Sequence, residues 1–98
     1  MALTVTLDLS FNPEQVSEVL DQFKVLLHDT RAFKGCLSVD LLHDQDKPGR
    51  ILLVERWEQK SDQEAYIAWR TETGEMGRTA EIVTAPIVVS YLEEVQRY

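Results

Sequence analysis

The chain is short of the residues that build most active sites. It has one cysteine, Cys36, two histidines, His28 and His43, and no long apolar run. A single thiol cannot close an internal disulfide or supply a cysteine-rich metal site, and the two histidines do not stand at metal-ligand spacing, so no metal is expected. Cys36 reads as a small buried hydrophobe at the start of a strand. Basic residues are scarce, 10 against 17 acidic, and the net charge of -7 disfavours nucleic acid and anionic membranes, which need clustered Lys and Arg. No apolar stretch approaches the roughly 20 residues of a spanning helix, and the N-terminus lacks the basic start and apolar core of a signal peptide, so a cytoplasmic protein is expected. A phosphate loop, a glycine-bounded nucleophilic serine and a basic aromatic platform are all missing, which disfavours nucleotide enzymes, triad hydrolases and RNA binders. What remains is a small organic ligand or a protein partner.

What is present fits one compact domain, residues 1–98, with 44% hydrophobic and 28% charged residues and no repeats or linkers. The centre is the stretch from Gly35 to Trp57. Cys36 to Leu42 reads as a strand, Asp44 to Gly49 as a polar turn, and Arg50 to Glu58 as the returning strand. Ahead of this hairpin, Leu3, Val5, Leu7 and Leu9 alternate with Thr4, Thr6, Asp8 and Ser10, giving a strand over residues 3–10. Asn12 reads as a helix cap with Pro13 at the first helical position, Gln15 closing a capping box and Phe11 stapled onto Val16. Val16, Val19, Leu20, Phe23, Leu26 and Leu27 then follow at helical spacing. His28 falls near the end of that helix as a solvated terminal residue, and His43 takes a turn-facing structural role.

After the hairpin, Ser61 and Glu64 form a second capping-box signature, opening a helix through Trp69 that Gly74 should end. A short helix over residues 75–84 is weakened by Gly77. Pro86 restores extended chain, and Ile87 to Val95 read as the last strand. The order β-α-β-β-α-β is ferredoxin-like: an α+β fold with a four-stranded antiparallel sheet and the helices on one face. Strands three and four, however, are apolar on both faces, with Leu52 and Val54 alternating with Ile51, Leu53 and Trp57, and Val88 and Leu92 with Ile87, Val89 and Tyr91. A sheet with two apolar faces needs two covers, and a homodimer with sheets packed face to face is expected.

Phe33, Gly35-Cys36-Leu37, the Asp-rich turn with Pro48-Gly49, Glu55-Arg56-Trp57-Glu58 and Glu64-Ala65-Tyr66 together resemble the antibiotic biosynthesis monooxygenase family over nearly the whole chain. The resemblance implies a dimeric α+β barrel and activities that include cofactor-free oxygenation of quinols and anthrones, heme degradation and isomerisation of small metabolites. It implies a pocket between helices and sheet, lined by Trp57 and Tyr66, with Leu53 where the anthrone-type enzymes have an asparagine and Arg78 in place of their pocket arginine. Trp69 stands where many members carry a helix histidine, and the axial histidine of the heme-degrading branch has no counterpart in residues 75–84. The reading is therefore a cofactor-independent monooxygenase acting with dioxygen on an aromatic, quinol or anthrone-like molecule, without cofactor. A non-catalytic domain that binds a hydrophobic ligand and a non-redox isomerase are the alternatives.

The candidate catalytic residues are Tyr66, to hydrogen-bond a phenolic or quinonic oxygen, and Arg78, to stabilise negative charge, with Arg56 as a substitute. Leu53, Trp57 and Trp69 are the candidate substrate-binding residues, the indoles stacking on a flat ring or serving as core aromatics. Asp8, Asp40 or a bound water would have to act as base. Glu55 and Arg56, adjacent in sequence, read as strand-surface ion pairs.

Overall fold

Alternation along the first strand sets the layers. In β1 (Leu3–Ser10), Val5, Leu7 and Leu9 are buried under the helices, while Thr4, Thr6, Asp8 and Ser10 face the other way. The computed structural model describes residues 2–98. It continues with α1 (Val16–Ala32), β2 (Cys36–His43), β3 (Arg50–Trp57), α2 (Lys60–Glu72), α3 (Glu75–Ile82) and β4 (Val88–Glu93). All strand pairs are antiparallel, in the order β2-β3-β1-β4, which is the ferredoxin-like arrangement expected from the sequence, with α3 added. The core lies between the sheet and α1 and α2, where Val5, Leu9, Ile51 and Trp57 meet Val16, Val19, Phe23 and Tyr66. No helix among the described residues is long and apolar enough to cross a membrane.

Both helix starts differ from the expected capping boxes. Asn12 accepts a bond from the Glu14 backbone N–H at 3.0 Å, but it caps a 3-10 turn over Pro13–Gln15 that leads into α1. Within that tight turn the Gln15 backbone N–H bonds the Asn12 carbonyl at 2.9 Å, and α1 begins only at Val16. At α2 the helix starts at Lys60, ahead of Ser61, with extended Gln59 as the cap; the Ser61 hydroxyl donates to Gln59 Oε1 at 3.3 Å. Gly74, at φ 82°, ends α2 as expected, and α3 forms despite Gly77, with no buried residue of its own. The last strand is shorter than its apolar run, because Leu3, the first residue of β1, already stands opposite Glu93.

Gly35 joins the halves of the fold. Its φ of 87° is left-handed, and a Cβ there would overlap the Asp62 side chain of α2. Its carbonyl accepts the Glu58 backbone N–H at 2.8 Å, tying the start of β2 to the end of β3. At the other end of the hairpin, Asp44 Oδ1 accepts the backbone N–H groups of Asp46 and Lys47 at 2.8 and 3.0 Å, and His43 Nε2 lies 2.8 Å from the Pro48 carbonyl oxygen. The face away from the helices carries half-buried Leu52 and Val54 between exposed Leu42, Val88 and Leu92. The two apolar faces read from the sequence are therefore present in the fold.

Candidate active site

β3 sends Ile51, Leu53, Glu55 and Trp57 toward the helices, three apolar side chains and one carboxylate in a single register. Glu55 is 2% exposed, and its Oε1 accepts a hydrogen bond from Trp57 Nε1 at 3.1 Å. The expected Glu55–Arg56 surface pair does not form, because neighbours on a strand point to opposite faces. Arg56 instead pairs with Glu94 on the far face at 3.1 Å.

α2 turns Gln63, Tyr66 and Arg70 inward. The Arg70 Nε donates to Tyr66 Oη at 2.8 Å, and Nη2 donates to the Leu26 carbonyl at 2.8 Å and to Thr30 Oγ1 at 3.1 Å. Its Nη1 forms an ion pair with Glu75 of α3. Thr30, with 0% exposure, and Tyr66 share a further hydrogen bond at 2.6 Å. Both hydroxyl oxygens accept from Arg70, and either hydroxyl can donate in the bond they share.

Tyr66 borders a cleft between the helices and the sheet, walled by Leu7, Leu53, Glu55, Arg70 and Glu75 among others. Its volume is about 70 Å³, room for a few waters. Burial pushes the Tyr66 phenol above its ordinary value against the pull of its Thr30 and Arg70 hydrogen bonds, so it is a proton donor at neutral pH. Burial likewise pushes the Glu55 carboxyl up, with the Trp57 hydrogen bond and the Arg70 charge opposing it.

Of the residues singled out from the sequence, Leu53 and Tyr66 line this cleft. Trp57, 0% exposed, packs behind it with its ring 5.2 Å from that of Tyr66. Trp69 stacks on Phe33 at 5.6 Å and carries the Arg70 guanidinium 4.6 Å above its ring. Arg78 is exposed on α3 and borders a separate, larger depression between α1 and α3. Asp8 and Asp40 lie on the sheet face away from the cleft, with Asp8 bound to Arg50 at 2.7 Å. Sequence reasoning did not identify Glu55, Arg70, Thr30 or Glu75 as site residues. The available signals were the register of Glu55 with Ile51, Leu53 and Trp57, and the four-residue step from Tyr66 to Arg70 on one helix face.

A family model described as antibiotic biosynthesis monooxygenase matches residues 2–80, most of the chain. The chain belongs to the antibiotic biosynthesis monooxygenase family. Among solved structures, this monooxygenase-family chain is similar to Rv0793 from Mycobacterium tuberculosis, at 22% identity and a TM-score of 0.86, with 99% of this chain and 98% of that one covered. It is also similar to a crystal structure described as antibiotic biosynthesis monooxygenase, at 24% identity and a TM-score of 0.85, covering 96% and 99% of the two chains. A conserved protein from Methanosarcina mazei Go1 has 17% identity and a TM-score of 0.86, with 96% and 93% covered. At these identities the likeness is one of fold. No curated protein matches the family member's sequence.

Proposed function

We propose that this family member is a cofactor-independent monooxygenase for an aromatic, quinol or anthrone-like small molecule, working in the cytoplasm as a homodimer. The observation that carries this reading is the Tyr66 hydroxyl, held by Arg70 and Thr30 at the edge of an apolar cleft between the helices and the sheet. Such a donor stabilises negative charge on a ring oxygen, and Arg70 behind it strengthens the effect, taking the role first considered for Arg78. Leu7 and Leu53 keep the ring dry, while Trp57 and Trp69 brace Tyr66 from behind.

The chemistry uses the substrate's own electrons. For an anthrone-type CH2, loss of one proton leaves a carbanion that gives an electron to dioxygen; the radical and superoxide combine to a peroxide, which takes up a proton. Loss of the second C–H proton then breaks the O–O bond, leaving a carbonyl and one water. Oxygen uptake by metal-stripped protein with dithranol and a panel of quinols tests the reading. Tyr66→Phe is expected to lower turnover about 10²-fold with the fold intact. Uptake at the buffer rate in the wild-type protein would favour the ligand-binding or isomerase alternatives.

The homodimer reading rests on the uncovered apolar face. Val54 sits on that face between Thr6 and Asp40, so Val54→Glu buries a charge in a sheet-to-sheet interface without touching the cleft. Sedimentation is expected to show a dimer for the wild type and dissociation at least about tenfold easier for Val54→Glu, from the several kcal/mol cost of an unpaired buried charge. A wild-type monomer at high concentration would contradict it.

A further inference from the structure

The oxygenation just described needs a group that takes and returns protons, and besides Arg70, which stays protonated, three titratable side chains border the cleft from β3, α2 and α3: Glu55, Tyr66 and Glu75. Tyr66 keeps its proton at neutral pH, for the reasons given above. Glu75 is held in the ion pair with Arg70. Glu55 has one oxygen occupied by Trp57, and its Oε2 accepts no hydrogen bond among the described residues. That oxygen is not sealed in, since the enclosed side-chain polar atom without a partner among the described residues is Gln63 Oε1. It therefore opens onto the cleft that Glu55 lines.

We propose that Glu55 is the catalytic base of this site, its Oε2 accepting a proton from an acidic C–H or O–H of a ring whose oxygen is held by the Tyr66 hydroxyl. The bonding electron pair stays on the ring, the proton is carried on Oε2, and the same proton is returned to the peroxide formed after reaction with dioxygen. Trp57 fixes the plane of the carboxylate so that the free oxygen faces the cleft. The groups around it are consistent with a base of raised proton affinity. Burial outweighs the Arg70 charge from α2, Cys36 faces it from β2 as a thiol that burial itself pushes up, Glu75 from α3 is paired, and α1 contributes Thr30 and apolar side chains. The assignment deepens the oxygenase reading and rests on it for the natural substrate, while the ability of Glu55 to remove a proton can be tested without oxygen.

5-Nitrobenzisoxazole is a suitable probe, because removal of its ring C–H proton breaks the N–O bond and releases a coloured cyanophenolate with no oxidant. The wild-type protein is expected to exceed Glu55→Gln by about 10²-fold in this elimination. The rate should rise with pH through the same midpoint at which the Glu55 side-chain carboxyl titrates by carbon-13 NMR. Glu55→Gln keeps an oxygen for the Trp57 N–H and removes a buried ionisable group, so it should remain folded, which denaturation checks. Equal rates in the two proteins, or a rate midpoint that differs from the Glu55 titration, would overturn the assignment. Dithranol oxygen uptake separates the two readings. Elimination that depends on Glu55 without oxygen uptake removes the oxygenase and keeps the base; uptake that survives Glu55→Gln removes the base and keeps the oxygenase.

Discussion

Arg70→Met is expected to unfold in urea with roughly 3 kcal/mol less stability than the wild-type protein, within the range seen when one member of a buried charged network is removed. Methionine fills the same length, so lost packing is a minor part. The loss comes from the acceptors left behind. The Leu26 carbonyl and Thr30 Oγ1 each lose their Arg70 donor, and Tyr66 Oη keeps only its bond to Thr30. Glu75 suffers less, because its side chain is 21% exposed and can turn to water. Glu75→Gln alone should therefore cost no more than about 1 kcal/mol. If it costs as much as Arg70→Met, the ion pair to α3, and not the cradle of acceptors on α1 and α2, holds the helices together.

Trp57→Ala is expected to cost about 3–5 kcal/mol, the usual range for deleting a buried aromatic residue. Trp57 is the largest fully enclosed side chain and touches Phe33 and Tyr66 edge-on or tilted. Its removal also takes away the only side-chain donor to Glu55 among the described residues. The Trp57 hydrogen bond lowers the Glu55 proton affinity, so in the variant that affinity rises further. A carboxyl raised in the folded state binds more protons there than in the unfolded chain, between its ordinary value and the raised one. Stability is then full below the ordinary value and is lost as pH rises through that window. Urea unfolding at about pH 5 and about pH 8 should accordingly show a larger deficit for Trp57→Ala at the higher pH. An equal deficit at both would mean that Glu55 does not respond to the lost indole.

Much of the fold was legible because burial follows one period per element. The alternation in β1 and β3 and the stripe Val16, Val19 and Phe23 on α1 each place a face unambiguously, and the left-handed Gly74 stops α2 where a glycine should. The cleft was only half legible. Tyr66 and Leu53 sit on the buried phase of their elements and line it as expected. Glu55 sits on that phase too, but its charge and the adjacent Arg56 suggested a surface pair, although period two separates such neighbours. Arg70 was hidden for a related reason. A charged residue reads as solvated unless its acceptors are known, and these come from Leu26 and Thr30, far away in sequence. The helix starts misled because Ser, Asn and Glu near a first turn allow several bonding patterns, and the 3-10 turn over Pro13–Gln15 and the extended Gln59 selected others.

The pleat of β3 also bears on how such a protein can change. Ile51, Leu53, Glu55 and Trp57 face the helices, with Leu53 and Glu55 on the cleft, while Leu52, Val54 and Arg56 face the other way, and the backbone of one strand stands between the two sets. Substitutions that alter the outer face can therefore accumulate on the even-numbered positions while the odd-numbered ones stay as they are. Inheritance of the two traits is separable within eight consecutive residues. A lineage can alter the lining of the cleft and keep the outer face, or alter the outer face and keep the lining, without moving the strand.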